Sequence, residues 1–391
     1  MIQPANRVSH VKEYYLQRKM KEVAALNAAG RDIISLGIGG PDRMPDTTVI
    51  ETLCAEARKP SSHSYQLGIG LPELRMAYAG WYARCYGVTL DAATEILPLI
   101  GSKEGILHVS MAFLNPGDAV LVPDPGYPTY TSVSRLVGAE IINYDLTAEN
   151  GWQPDFNAIE RTPGLERVKL MWMNYPHMPT GAPARRETFE RAVEFARRHD
   201  IVLVHDNPYS FILNDHPMSL LSVPGAKEVA IEFNSLSKSH NMAGWRMGML
   251  ASNAEFVNWV LKVKSNIDSG QFRPVMMAAA AALSLGDEWY EALNAEYSRR
   301  REAAERVMAA LGCSIDPTQR GLFLWGRIAD SEPGSEALAD RVLRQSRVFI
   351  TPGFIFGRNG DRYVRISLCA PVEKLDEACS RIMQSKKAEN L

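Results

Sequence analysis

Ser235-Leu236-Ser237-Lys238 is followed closely by Gly244-Trp245-Arg246-Met247-Gly248. A lysine just past a buried strand, flanked by small hydroxyl residues, loses part of its hydration. Its amine is then available as a nucleophile toward an aldehyde. The hydroxyls of Ser235 and Ser237 and the guanidinium of Arg246 are donors suited to a phosphate group. A surface lysine in a serine-rich loop would give the same tetrapeptide. The arginine held between glycines ahead of a new strand is what tilts the reading toward chemistry.

Asp206 ends the apolar run Ile201-Val202-Leu203-Val204-His205 and precedes Asn207-Pro208-Tyr209. Asp-Asn-Pro is good turn chemistry, so Asp206 could simply cap the next turn. In the chemical reading it faces a protonated pyridine nitrogen and keeps that ring an electron sink, while Tyr209 donates to the ring's phenolic oxygen. His205 reads as a core residue behind them. Gly101-Ser102-Lys103-Glu104-Gly105 opens an apolar helix, where free backbone N–H groups and the positive dipole end suit a phosphate. Lys103 adds charge there or faces a substrate. Tyr127, in the proline-rich loop Pro123–Tyr130, is placed to stack on a planar ring. Arg365 sits inside the apolar strand Tyr363-Val364-Arg365-Ile366-Ser367, and a buried guanidinium needs a partner. A bidentate carboxylate is its natural one, supplied either by a ligand or by an Asp or Glu of the chain.

These groups follow short, largely apolar runs: Glu95–Ile100, Ala119–Val122, Val168–Met173, Ile201–Val204, Val229–Phe233 and Met247–Ala251. Helical patterns such as Glu104–Leu114, Arg185–Arg198 and Ala254–Lys264 alternate with them. That alternation predicts an α/β fold with a largely parallel sheet covered on both faces. In such a sheet ligands bind beyond the carboxyl ends of the strands, so groups scattered in sequence converge in space. Past a long helix over Gly286–Leu311 the rhythm changes. Strands near Gly321–Arg327, Val348–Ile350 and Tyr363–Leu368, with a helix over Ser335–Gln345, predict a smaller α+β lobe. A helix over Val11–Gly30 and a strand over Ile33–Ile38 are expected to join it. The expected division is residues 1–48 with the small domain, 49–285 as the large domain and 286–391 as the small C-terminal domain.

Composition narrows the function classes. With 46% hydrophobic and 23% charged residues the chain can bury a large core, and a net charge of -2 points to neither nucleic acid nor an anionic membrane as partner. Five scattered cysteines without a C-x-x-C pair suggest free thiols in a cytoplasmic protein, with neither a disulfide framework nor a zinc site. No apolar run reaches the roughly 20 residues of a spanning helix. Gly37-Ile38-Gly39-Gly40-Pro41 and Gly68-Ile69-Gly70-Leu71-Pro72 both lack the G-x-G-x-x-G spacing of a dinucleotide site.

Taken together, in order and over nearly the whole chain, these elements resemble the class I/II aminotransferases of pyridoxal-phosphate fold type I. The resemblance runs from Leu36-Gly37-Ile38-Gly39-Gly40-Pro41-Asp42 to Arg365-Ile366-Ser367, and Ser235–Gly248 is its most specific stretch. It implies a large domain with a mostly parallel seven-stranded sheet and a smaller α+β domain built from both termini. It implies that Lys238 carries pyridoxal 5'-phosphate as a Schiff base and later shuttles a proton between the substrate Cα and the cofactor. Asp206 would hold the pyridinium and Tyr209 the ring oxygen. Ser102, Lys103, Ser235, Ser237 and Arg246 would surround the phosphate, Tyr127 would stack, and Arg365 would grip the substrate α-carboxylate. Gly39 matches the place where the N-terminal segment crosses the substrate. Tyr65, ahead of Gly70-Leu71-Pro72-Glu73-Leu74-Arg75, resembles the tyrosine that reaches the neighbouring subunit's phosphate, which implies a homodimer with shared sites.

One position departs from the family. Met178 precedes Pro179-Thr180-Gly181 where the family usually has asparagine, and a thioether is a weak acceptor that cannot donate. Asn174 or His177 would have to compensate, or Tyr209 would hold the ring oxygen with less help. The expected activity is transfer of an amino group between an L-amino acid and a 2-oxo acid by a ping-pong cycle. A carbon–sulfur lyase on the same machinery is the alternative, and a non-catalytic regulatory module a remote one. Lys103 with Tyr14 and Tyr15 resembles the LL-diaminopimelate aminotransferases, and Tyr15 is expected at the substrate. Aspartate, alanine and aromatic donors stay equally open. The neighbour-subunit loop near Ser269-Gly270-Gln271-Phe272-Arg273 is expected to select the side chain, with Arg273 a candidate partner for a substrate side-chain carboxylate.

Overall fold

Seven strands make the central sheet: β1 (Ile96–Leu99), β2 (Ala119–Asp124), β3 (Glu140–Asp145), β4 (Val168–Met173), β5 (Val202–Asp206), β6 (Ala230–Ser235) and β7 (Gly248–Ala251), in the order β1-β7-β6-β5-β4-β2-β3. The structure, a computed structural model, describes residues 2–9, 11, 13 and 15–389. Only β7 is reversed: it pairs antiparallel with β1 and β6, while the other neighbours are parallel. Six carboxyl ends therefore lie along one edge.

Successive side chains on these strands enter two different cores. Leu121, Met171 and Leu203 belong to one, and Val120, Leu170 and Val204 to the other. A strand alternates its side chains between faces, so a sheet buried on both sides reads as an unbroken apolar run. That is why all six strands expected for this sheet lie where the apolar runs put them. β3 was not anticipated. It is the edge strand, its sequence Glu-Ile-Ile-Asn-Tyr-Asp is half polar, and only Tyr144 of it is buried.

Beyond the long helix Asp287–Leu311 lies a four-stranded antiparallel sheet in the order Thr351–Pro352, Tyr363–Ser367, Phe323–Arg327, Ser314–Ile315. The N-terminal segment joins this part of the chain. Ile34–Ser35 pairs in parallel with Val348–Phe349, and Leu16 and Val23 of the helix Tyr15–Ala28 pack on Leu343 and Phe349. The expected helix Ser335–Gln345 is α-helical over Ser335–Arg341 and widens to a π turn over Val342–Ser346. Trp325 and Tyr363 stack with ring centroids 5.0 Å apart, beside Trp152 of the large sheet's surroundings. Apolar packing is thus continuous between the two sheets.

Candidate active site

Beyond the carboxyl ends of β5 and β6 is a cavity of about 550 Å³. It brings together Lys238, Asp206, Tyr209, Ser102, Lys103, Tyr127, Ser235, Ser237, Arg246, Gly39 and Arg365, which come from seven separate stretches of sequence. Asn174, Met178 and Tyr130 line it as well.

One wall is built for an anion. The helix Ser102–Phe113 starts from Gly101, whose φ of 77° is left-handed and whose side has no room for a side chain: a Cβ there would lie 2.2 Å from Arg246 Nη2. Only glycine lets the guanidinium come this close to the turn. The helix start has no side-chain cap, so its first N–H groups are available to a ligand. Ser235 caps the short helix Leu236–Ser239, accepting from Ser237 N at 3.2 Å and donating to Met247 O at 3.3 Å. This fixes the turn that presents Lys238.

Lys238 is half-buried, and its Nζ donates to the carbonyl of Gly39. Burial pushes its pKa down, and the nearby Arg365 and Arg246 push the same way against Cys369. Gly39 must be a glycine, because a Cβ would lie 2.2 Å from the Phe323 ring. Asp206 is buried with one oxygen satisfied: Oδ2 accepts from Tyr130 Oη at 2.9 Å, while Oδ1 has no partner among the described residues. Burial lifts its pKa to about 6, although the Tyr130 hydrogen bond and His205 pull it down. His205 itself is a core residue that pairs with Glu232 at 2.8 Å.

Arg365 is buried in its strand. Its guanidinium lies 3.9 Å from the Phe323 ring centre and 4.7 Å from that of Phe356, and it donates to Gly37 O at 2.9 Å and to the Met178 sulfur at 3.1 Å. Met178 therefore has a role that sequence did not indicate, as a soft acceptor for Arg365. Asn174 lines the cavity, its amide donating to Asp206 O at 2.6 Å and its oxygen accepting from Met178 N at 2.7 Å. His177 is bonded to Thr180 Oγ1 at 2.8 Å and is absent from the cavity wall, and burial lowers its pKa to about 3.

Three expected positions lie elsewhere. Tyr65 is 91% exposed and outside its own chain's cavity. Tyr15 packs edge-on against Phe354 at 5.4 Å and lines an adjoining cavity that shares Lys103 and Tyr127 with the first; Tyr14 lies outside the described residues. Arg273, expected at the neighbouring subunit's site, is held within its own chain by Glu73 at 3.1 Å and Glu56 at 3.7 Å. Sequence reasoning missed Tyr130 and Phe323. Tyr130 carried a signal only in its closeness to Tyr127, and Phe323 carried none.

The residues present fit pyridoxal phosphate. The orphaned oxygen of buried Asp206 asks for a cationic donor such as a pyridinium nitrogen, since an unsatisfied buried carboxylate is costly. The glycine-lined helix start with Arg246 suits the phosphate, and Lys238 supplies the amine.

Comparison with known proteins agrees with this geometry. Residues 31–382 match the family Aminotransferase class I and II. The chain is similar to the LL-diaminopimelate aminotransferases of Dehalococcoides mccartyi, 40% identical with 98% of each chain covered, and Moorella thermoacetica, 42% identical with 97% of this chain and 98% of that one covered. Among solved structures it is similar to substrate-bound BacF of Bacillus subtilis, 35% identical with a TM-score of 0.94 over 98% of each chain. It is also similar to a double mutant of Thermus thermophilus aspartate aminotransferase, 25% identical with a TM-score of 0.91 over 98% of this chain and 100% of that one. The chain belongs to the class I and II aminotransferases of fold type I, and is with them a pyridoxal-phosphate-dependent transferase acting on amino acids and 2-oxo acids.

Proposed function

We propose that this enzyme transfers an amino group from LL-diaminopimelate to a 2-oxo acid, with Lys238, Asp206 and Arg365 as its central residues. The observation that carries the reaction is that one cavity holds a half-buried lysine amine, a buried carboxylate with an orphaned oxygen and a buried guanidinium. The substrate rests on identities of 40–42%, over essentially full length, to proteins named for LL-diaminopimelate.

Bound pyridoxal phosphate supplies an aldehyde for the substrate amine and a ring that withdraws electrons from Cα. Lys238 would hold the cofactor, and once displaced its Nζ would take the proton from Cα and deliver it to the cofactor's former aldehyde carbon. Its lowered pKa keeps more of the amine neutral for that task. Asp206 keeps negative charge beside the ring nitrogen, braced by Tyr130, and Tyr209 donates to the ring oxygen. Arg365 binds the substrate α-carboxylate in a bidentate pair. Ser102, Lys103, Ser235, Ser237 and Arg246 hold the phosphate, Tyr127 stacks on the ring, and Gly39 lets the N-terminal segment cross close to the substrate. Tyr15 borders the substrate's far end through the adjoining cavity.

The functional unit in this reading is a homodimer. Tyr65, Leu67 and Phe272 are exposed apolar or aromatic groups of the kind a second copy covers, and Tyr65 then reaches the partner's phosphate site. The large unit spans residues 49–285, with 1–48 and 286–391 forming the small one. Five free cysteines suit a reducing cytoplasm, and among the described residues no helix is long and apolar enough to cross a membrane.

A half-reaction screen tests the substrate. Holoenzyme is mixed with LL-diaminopimelate, aspartate, alanine and phenylalanine, while the cofactor's absorbance and 2-oxo acid release are followed. Fastest conversion with LL-diaminopimelate supports the reading. Preference for another donor refutes the substrate but not the transaminase, and ammonia release with the cofactor's starting absorbance restored refutes the transaminase.

A further inference from the structure

Outside the cavity wall, four titratable side chains meet behind the phosphate turn. His108, fully buried, contacts Glu104 Oε1 through Nε2 at 2.8 Å. Lys264, 1% exposed, spans both oxygens of Asp268 at 2.9 and 2.7 Å. Ligand atoms of Glu104, His108 and Asp268 all lie within 4.8 Å of one another, a spacing that could hold a metal ion. Here the Lys264 ammonium already supplies the positive charge that two neighbouring carboxylates require, so a cation site is the weaker reading.

The cluster is wired to the turn in front of it. Glu104 Oε2 accepts from Ile100 N at 2.5 Å, directly before Gly101. Asp268 Oδ1 accepts from Gly270 N at 2.8 Å and so sets the path of the next residue. Gly270 has a φ of 84° and passes so near Gln66 that a Cβ would lie 2.4 Å from its carbonyl oxygen, which leaves the segment little freedom. Gln271 then donates through Nε2 to Leu99 O at 3.1 Å and to Arg246 O at 3.2 Å. The strand end, the glycine turn and the backbone of the guanidinium residue are thus clamped by one network, although no member of it lines the cavity.

We infer that Lys264, Asp268 and Glu104 are positioning residues for the cofactor phosphate, acting through Ile100 and Gln271 on the turn 99–102 and on Arg246. The inference rests on reading that turn as the phosphate site. A buried ion pair adds little net stability over apolar packing, but breaking one leaves a buried charge unpaired and lets its partners shift. A shift of about 1 Å in a binding turn is enough to cost orders of magnitude.

The test compares equilibrium binding of pyridoxal phosphate and of pyridoxal, which lacks the phosphate, to cofactor-free full-length protein. Wild type, Lys264→Met, Asp268→Asn and Gln271→Ala are titrated. The expected result is a loss on the order of tenfold or more for pyridoxal phosphate, with pyridoxal affinity unchanged. An equal loss for both ligands marks a merely structural role and overturns the inference, as does no loss for either. If the two buried variants do not fold, half-buried Gln271→Ala decides alone by the same criterion. Wild type that binds both ligands equally well overturns the phosphate-site reading, and the inference falls with it; wild type that discriminates while the variants match it overturns only the inference.

Discussion

The hydroxyl of Tyr130 donates to Oδ2 of Asp206 at 2.9 Å, and the other oxygen of that buried carboxylate has no partner among the described residues. Tyr130 in turn stacks on Trp172 of β4, with ring centroids 4.9 Å apart and planes 5° from parallel. The carboxylate is therefore held in one orientation from one side only, and the open side faces the cavity. In the proposed mechanism that is the arrangement required to anchor and charge a pyridine nitrogen.

Before cofactor binds, this carboxylate is a source of instability above acidic pH. Its pKa is lifted to about 6 by burial, against an ordinary value of 3.8. The folded protein thus binds more protons than the unfolded chain between pH 4 and 6, and the stability linked to Asp206 is present below that window and lost as pH rises through it. Asp206→Asn removes the effect. In urea unfolding of cofactor-free protein, the variant gains on wild type with rising pH by up to about 3 kcal/mol. A gap that does not change between pH 4 and 7 contradicts the assignment. The same variant binds cofactor more weakly, so its advantage reverses in the holoenzyme.

Arg365→Met keeps the bulk of the side chain between Phe323 and Phe356 but removes its charge. Loss of a buried charge-assisted pair costs about 2–5 kcal/mol, a fall in kcat/KM of roughly 30-fold or more. The loss is confined to donors with an α-carboxylate. A simple primary amine reacts with variant and wild type alike in single-turnover absorbance traces. Equal losses for both donors count against carboxylate recognition.

Gly101→Ala places a Cβ 2.2 Å from Arg246 Nη2 on a backbone with φ of 77°. Strain of about 1–3 kcal/mol and a displaced guanidinium are both expected. The variant unfolds at lower temperature, and its cofactor affinity drops beyond what the stability change explains. Calorimetry together with cofactor titration checks this; an unchanged affinity separates Arg246 from the phosphate.

Most of the fold and the charged part of the site were legible because the causes are local. Sheet strands buried on both faces leave apolar runs, and Lys238, Asp206 and Arg365 stand out as charges at or inside such runs. Two kinds of feature were not legible. β3 lies at the sheet edge, where half its residues meet solvent and the pattern weakens. Tyr130 and Phe323 act through contacts across 76 and 42 residues of sequence, with Asp206 and Arg365, that no spacing rule encodes.

The central claim is that Lys238 carries the cofactor, and one measurement addresses it directly. Holoenzyme is treated with borohydride to fix the cofactor to the lysine that holds it, then digested, and the modified peptide is identified by mass spectrometry. The expected result is a pyridoxyl adduct on Lys238 alone. An adduct on Lys103, the other lysine of the cavity wall, or on any lysine outside it would contradict the account.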